Sequence, residues 1–459
     1  MSIPFVTSRC SWHSINGLLW ALAIATAFAG APARAEEKAP RFKGDLNEQV
    51  AKLIELHHYQ EAFALAKEAR EKYETAFGLR HAGTATSLCN LAQCYSLLGE
   101  YSTAEPLYLQ VLETRRQLYG PRNPHTVDTL HELGAHYWRK GDYAKAEEFL
   151  QQALEIQVLG WGEKHLATAG SLERLGALYV EMGEYAKAEP LLRRALATFE
   201  SVVGPKHLAS MVSTHALARL YSEMGDYAKA EPLYERVLAS YEQAHGPEHP
   251  NTAGCLNNLA SLYSAIGDDA KAERLYLRAL SAFEKSCGPD DPDNTPCLNN
   301  LANLYAQMGD LAKAKSLHLR ALAICEKALG PTHPHTAHSL FGLAAVYAAM
   351  GNEAKAEPLH ARALAIREKV LGPDHPDTAR SLASVARLAV DRGEYAKAEP
   401  LAVRALAICE KALGPNHPET AAIARNLGML YAKMGDRAKA EPLLKRAPAA
   451  RVKAPGLEL

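Results

Sequence analysis

Apolar residues recur along this chain in a block that repeats. Within residues 246–287, Leu259, Ala260 and Tyr263 fall on one face at helical spacing. A glycine follows at Gly267, and Ala272, Tyr276, Ala279 and Leu280 form a second helical face. The block predicts two helices joined by a tight turn. The turn glycine returns at Gly99, Gly141, Gly183, Gly225, Gly267, Gly309, Gly351, Gly393 and Gly435, and each is followed five residues on by an alanine, from Ala104 to Ala440. The step is 42 residues throughout, with no insertion or deletion over nine copies. A fixed period of this size means stacked supersecondary units that bury their apolar faces against one another.

The polar positions predict where the helices start and stop. Thr252 is expected to cap the first helix of its block through its hydroxyl, and Asp268 the second. Gly267 takes the positive φ that closes the first helix, and Gly288-Pro289 ends the second. The small residue after the first-helix leucine is Ala92, Gly134, Gly176, Ala218, Ala260, Ala302, Ala344, Ala386 or Gly428, which implies close helix approach. Six copies place a proline inside the second helix (Pro106, Pro190, Pro232, Pro358, Pro400 and Pro442), where a bend is expected. One junction departs from the pattern. Residues 288–298 read GPDDPDNTPCL, with the threonine displaced and Pro296 in the first turn.

Leu259-Ala260, Tyr263, Gly267, Ala272, Tyr276 and Ala279 resemble the signature of the tetratricopeptide repeat (TPR). The usual period is about 34 residues. The longer repeat here, with Gly-Pro-x-His-Pro-x-Thr between units, resembles the kinesin light chain-like subfamily. The resemblance covers roughly residues 45–447 and implies an all-α fold: a right-handed α-solenoid of about ten stacked helix pairs. It further implies that first helices line a concave groove that binds a peptide or partner protein, without catalysis.

Outside the repeats the chain divides simply. Residues 1–35 read as a signal peptide, with an apolar run over 17–31 and Ala33-Arg34-Ala35 as a cleavage pattern. The expected destination is the periplasm or the exterior. Residues 36–44 read as a linker and 448–459 as a disordered tail. Residues 45–82 form a degenerate first repeat, opened by a capping box over residues 45–48, with His57 in the glycine slot.

Composition then narrows the function. Lys+Arg 51 against Asp+Glu 52 leaves a net charge of −1, without the broad basic field that nucleic acid demands. After cleavage nothing predicts membrane insertion. Seven cysteines follow residue 35, an odd number, and they track the repeat register as small buried hydrophobes; no CxxC spacing occurs. Histidine recurs before the first helix (His165, His207, His249, His333, His375 and His417), as a loop-architecture residue expected to bond the neighbouring unit. His333, His335 and His338, with His318 and His360, are the strongest metal candidates, but the recurrence argues against a metal site. No nucleotide, hydrolase or metalloprotease motif is present, and repeats occupy the span a catalytic domain would need. No cofactor is implied.

The candidate binding residues are those on first helices outside the repeat signature: Asn90, Arg174, Arg219, Asn257, Asn258, Asn299, Asn300, Asn303, Arg387, Arg425 and Asn426. By resemblance, asparagines such as Asn258 and Asn300 clamp the backbone of an extended peptide, because a carboxamide both donates and accepts. Two other functions remain open on the sequence. One is a cell-envelope assembly protein acting through weak self-association; the other is a cytoplasmic signalling scaffold if the N-terminus is uncleaved.

Overall fold

The computed structural model describes residues 45–55 and 58–446, so the signal peptide, linker and tail read from the sequence, and His57, lie outside the described residues. Twenty α-helices and no strands occur among the described residues. Their order is α1 (Leu46–Glu55), α2 (Tyr59–Phe77), α3 (Ala82–Leu97), α4 (Tyr101–Tyr119), α5 (Pro124–Lys140), α6 (Tyr143–Trp161), α7 (Leu166–Glu181), α8 (Tyr185–Val203), α9 (Leu208–Glu223) and α10 (Tyr227–His245). Then follow α11 (Pro250–Ile266), α12 (Asp269–Cys287), α13 (Asn294–Gln307), α14 (Leu311–Ala328), α15 (Pro334–Ala349), α16 (Glu353–Val370), α17 (Pro376–Asp391), α18 (Tyr395–Leu413), α19 (Pro418–Lys433) and α20 (Arg437–Arg446). Odd-numbered helices are the first of each pair and even-numbered helices the second. The described residues fall into two compact units, 45–178 with 190–209, and 179–189 with 210–446. In the first unit each helix from α1 to α6 packs on the next, and in the second the same holds from α10 to α20.

The turn chemistry is set by glycine. Gly267 adopts φ 95, ψ 14, and the following Asp268 N–H bonds back to the Tyr263 carbonyl at 2.9 Å, which closes α11. Asp268 then caps α12 by accepting from the Lys271 N–H at 3.0 Å, as expected. The cap of the first helix differs from expectation. Thr252 sits inside α11, and its hydroxyl donates to the Gly246 carbonyl at 2.8 Å. The cap is His249, whose Nδ1 accepts from the Asn251 N–H at 3.1 Å, with Pro250 opening the helix. His81, His165, His207, His333, His375 and His417 do the same for their helices. The recurrent histidine therefore caps its own helix.

The irregular junction keeps the geometry with other residues. Asp291 takes the histidine's place and accepts from the Asp293 N–H at 2.9 Å. Asn294 takes the threonine's place, its Nδ2 donating to the Gly288 carbonyl at 2.7 Å. The threonine bond survives because any short side chain with a donor reaches that carbonyl.

The internal prolines do not interrupt α4, α8, α10, α16, α18 or α20. The alanine five after each turn glycine is fully buried, from Ala104 to Ala398, and so is Ala302 in the small-residue series. At Gly134, a Cβ would stand 2.8 Å from the Leu150 side chain, so that copy needs glycine for close approach.

Polar ladders run alongside the core. Tyr137 donates to Glu105 at 2.8 Å and Tyr305 to Glu273 at 2.6 Å, each reaching the second helix of the preceding pair. On the second helices Arg320 pairs with Glu284 at 2.6 Å, Arg362 with Glu326 at 2.7 Å and Arg404 with Glu368 at 2.7 Å. Arg278 pairs with Glu242 and Arg446 with Glu410 in the same register. Each pair is partly exposed and contributes little alone.

Candidate functional site

The first helices carry the predicted binding residues, and the structure separates these into two sets. Asn257, Asn299, Asn300 and Asn303 are buried. Asn300 donates from Nδ2 to Asn257 Oδ1 at 3.1 Å, Asn257 Nδ2 reaches Asn258 Oδ1 at 3.4 Å, and Asn258 Nδ2 lies 2.7 Å from His215 Nε2. Asn299 donates to Ser339 Oγ at 3.3 Å and meets His318 Nδ1 at 2.9 Å through its carbonyl oxygen. These carboxamides form a hydrogen-bonded line joining α9, α11, α13 and α15. In this structure they bridge neighbouring helices, so the clamp implied for Asn258 and Asn300 would first have to break these bonds.

The second set is half-buried: Asn90, Arg174, Arg219, Asn258, Arg387, Arg425 and Asn426. Asn90 donates to the Asn47 carbonyl at 3.3 Å, joining α3 to α1. Arg219 pairs with Glu181. Arg387 is desolvated enough to lower its pKa, with Asp391 opposing the shift. One register of this face reads Asn90, Glu132, Arg174, Ala216, Asn258, Asn300, Gly342, Ser384 and Asn426. It changes chemistry from copy to copy while the two positions that follow it stay apolar and small.

The charged sections of the face are tuned by burial. In the first unit, burial raises the Asp128 pKa to about 6, opposed by Arg115 and Arg174 and helped by Glu132. His131 is held far below its usual value by burial and by Arg174, and its Nε2 lies 2.6 Å from Ser171 Oγ. In the second unit, sequence reasoning missed an ion network at the starts of α17 and α19. Arg380 grips Glu419 through Nε at 2.7 Å and Nη2 at 3.2 Å, and its Nη1 lies 2.8 Å from Asp377 Oδ1. Despite burial, Arg380 and Arg367 hold the Asp377 carboxyl well below the usual range. The fully buried Arg367 donates to the Asp377 carbonyl at 3.0 Å and to Ser381 Oγ at 2.8 Å. Arg115 makes the equivalent bonds to the His125 carbonyl and Thr129. The signal was an arginine in a register otherwise filled by aromatic, glutamine and cysteine side chains.

The cysteines follow expectation in part. Cys255 and Cys297 are buried and donate to the Tyr234 and Tyr276 carbonyls, and Cys287 is half-buried. Among the described residues, one group, Cys287, Asp291 and Asp293, brings three metal-ligating side chains within 4.8 Å of one another. Asp291 there already accepts from the Asp293 N–H. The histidines named as metal candidates do not form such a group among the described residues.

The fold and this face define an interaction scaffold built of helix pairs, and comparison with known proteins gives its family. A model of the tetratricopeptide repeat family matches residues 53–117, 99–157, 167–243, 223–285, 294–369, 342–411 and 382–451, and the chain belongs to that family. Its long repeat is similar to that of kinesin light chain-like proteins. The structure of BtubC (BKLC) from P. vanneervenii is 26% identical, covering 53% of this chain and 92% of that one, with a TM-score of 0.39. A putative kinesin light chain with nearly identical TPR-like repeats from Podosopora anserina is 27% identical, covering 44% and 95%, with a TM-score of 0.37. A Rap protein complexed with competence and sporulation factor is 14% identical over 85% and 98%, with a TM-score of 0.49. No curated protein matches the chain.

Proposed function

We propose that this protein is a non-enzymatic scaffold whose first-helix face holds an extended segment of a partner protein. The observation that carries the reading is the pair of adjacent first-helix registers running from Cys89 to Arg425 and from Asn90 to Asn426, which vary in charge and size between copies while the next two positions stay apolar and small. A scaffold that only supports itself has no need of such variation, whereas a recognition surface does. Buried carboxamides such as Asn257 and Asn300 fix the spacing of the first helices. The half-exposed Arg219, Asn258, Arg387, Arg425 and Asn426 select the partner. We further propose export, on the strength of the apolar run over 17–31 and the Ala33-Arg34-Ala35 pattern, with residues 45–447 acting as the repeat domain.

The test is affinity capture with the full chain beside a variant carrying Asn258→Ala and Arg387→Ala. A partner held by the wild type and lost by the folded variant supports the face. Equal retention by both, with a mass that rises with protein concentration, favours self-association in envelope assembly. Sequencing the N-terminus of the native protein tests export: an intact Met1 overturns it and restores the cytoplasmic reading.

A further inference from the structure

Six of the nineteen histidines, His318, His333, His335, His338, His360 and His375, fall between residues 318 and 375, and none falls between 250 and 317. The six lie on α14–α17 or on the caps between these helices. His318 ties three helices together. It is 1% exposed; its Nδ1 meets Asn299 of α13 at 2.9 Å. Its ring lies so close to Gly342 of α15 that a Cβ there would stand 2.8 Å from Nδ1. Its Nε2 is buried without a hydrogen-bond partner. With Nδ1–H donated to the Asn299 carbonyl oxygen, Nε2 keeps its lone pair. A second proton would leave a buried cation with an N–H and no acceptor.

His360 stands in the equivalent place one repeat later. It is 1% exposed, both ring nitrogens are buried without partners, and its ring meets Phe341 edge-on at 5.3 Å. The charges acting on it, Arg387 of α17 and Arg367 of its own helix, are both cationic. His338 is buried in α15, facing Arg367, Asp377, Arg380 and His335. His375 needs its Nδ1 lone pair to cap α17, and it faces Asp377, Arg380, Arg367 and Glu419.

We propose that α14–α17 form an acid-labile segment that opens ahead of α12–α13 as pH falls below about 6, because imidazolium at His318, His338 and His360 cannot be accommodated in the packed helices. Burial takes these three histidines down to about 3. Stability that depends on neutral imidazole is complete above the ordinary histidine value of about 6.5 and drains as pH falls toward the folded values. α12 and α13 contain no histidine; Asp268 caps α12, and the turn before α13 uses Asp291, not histidine, to accept from the Asp293 N–H. The inference is independent of what the first-helix face binds.

Segment-resolved hydrogen exchange on the full chain, corrected for the intrinsic pH dependence of exchange, tests it. Three histidines that titrate near 6.5 once opened multiply the opening constant roughly 500-fold from pH 6 to pH 5, and His335 and His375, also held down by burial, add to it. From pH 6 to pH 5 the α14–α17 amides should show that change, and the α12–α13 amides less than about a tenfold one. Parallel behaviour of the two segments, or no change in α14–α17, overturns the proposal. In the variant His318→Leu with His360→Leu, leucine takes the residue found in the equivalent register at Leu150 and Leu192. There the change from pH 6 to pH 5 should shrink by about 60-fold, and an unchanged dependence overturns the proposal. If that variant does not fold, NMR titration of the wild-type imidazoles decides. Signals of His318, His338 and His360 that stay neutral down to pH 5 support the segment; titration near 6.5 removes its cause.

Discussion

Arg380 and Glu419 form a two-pronged ion pair, with Nε and Nη2 of the guanidinium at 2.7 and 3.2 Å from the two carboxylate oxygens. Both side chains are largely buried, and they join α17 to α19. Removing one partner of such a pair strands the other charge. Arg380→Ala should destabilise the α17–α19 region by about 3 kcal/mol at pH 7. Asp377 also loses a partner that holds its pKa down. That contribution exists above the ordinary aspartate value and is lost as pH falls, so the penalty should shrink toward pH 3. Urea unfolding at the two pH values measures both effects, and an equal penalty at pH 3 contradicts the assignment.

The carboxamide line predicts a stability effect where a pure recognition role predicts none. Asn300→Ala leaves Asn257 Oδ1 without its donor at 3.1 Å, at a cost of about 1–2 kcal/mol. A double-mutant cycle with Asn257→Ala should return a coupling of about 1 kcal/mol. Additive losses would mean that the two residues act separately.

Close approach at Ala302 is equally testable. The residue is fully buried, and Ala302→Leu adds volume where none is free. The expected cost is about 1–3 kcal/mol, seen as a lowered melting temperature. An unchanged melting temperature contradicts the helix register described here.

The histidine caps give a pH signature. His249 accepts through Nδ1, which protonation abolishes, and burial lowers its pKa. Its stabilisation is present above the ordinary histidine value and fades as pH falls. His249→Asp copies the arrangement at Asp291 and should be near neutral at pH 7 but more stable than wild type at pH 5. His249→Ala should cost about 1 kcal/mol at pH 7 and less at pH 5. Thermal melts of the three proteins at both pH values decide.

The repeat, the helix boundaries at the turn glycines and the Asp268 cap were legible because each rests on a local rule: a period, a positive φ, a short acceptor. The histidine caps were not legible. Thr252 looked like the expected cap, and histidine is an uncommon capping residue, so the loop was read in favour of the hydroxyl. The candidate site was half legible. Asn257 and Asn258 differ by one position on a helix, which turns one toward its neighbour and leaves the other half-exposed. Sequence spacing alone does not say which. The available clue was Phe341, which occupies the Asn257 register two copies later and marks it as buried. The network of Arg367, Asp377, Arg380 and Glu419 left one trace, the arginine at a register that most copies fill with aromatic, glutamine or cysteine side chains; its link to Glu419 spans two repeats and no local rule predicts it.

The arginine–glutamate ladder on the second helices has a consequence for how such a chain changes length. Each arginine reaches back to the glutamate of the preceding unit: Arg362 to Glu326, as Arg320 to Glu284. Excision of residues 285–326, one whole period, brings Glu284 to the place Glu326 held, and Arg362 meets an equivalent carboxylate. Duplication of a period works the same way. A gain or loss of any other length strands charges along the second helices. The ladder therefore tolerates growth and shrinkage in whole units, a rule that fits the unbroken 42-residue step seen across nine copies.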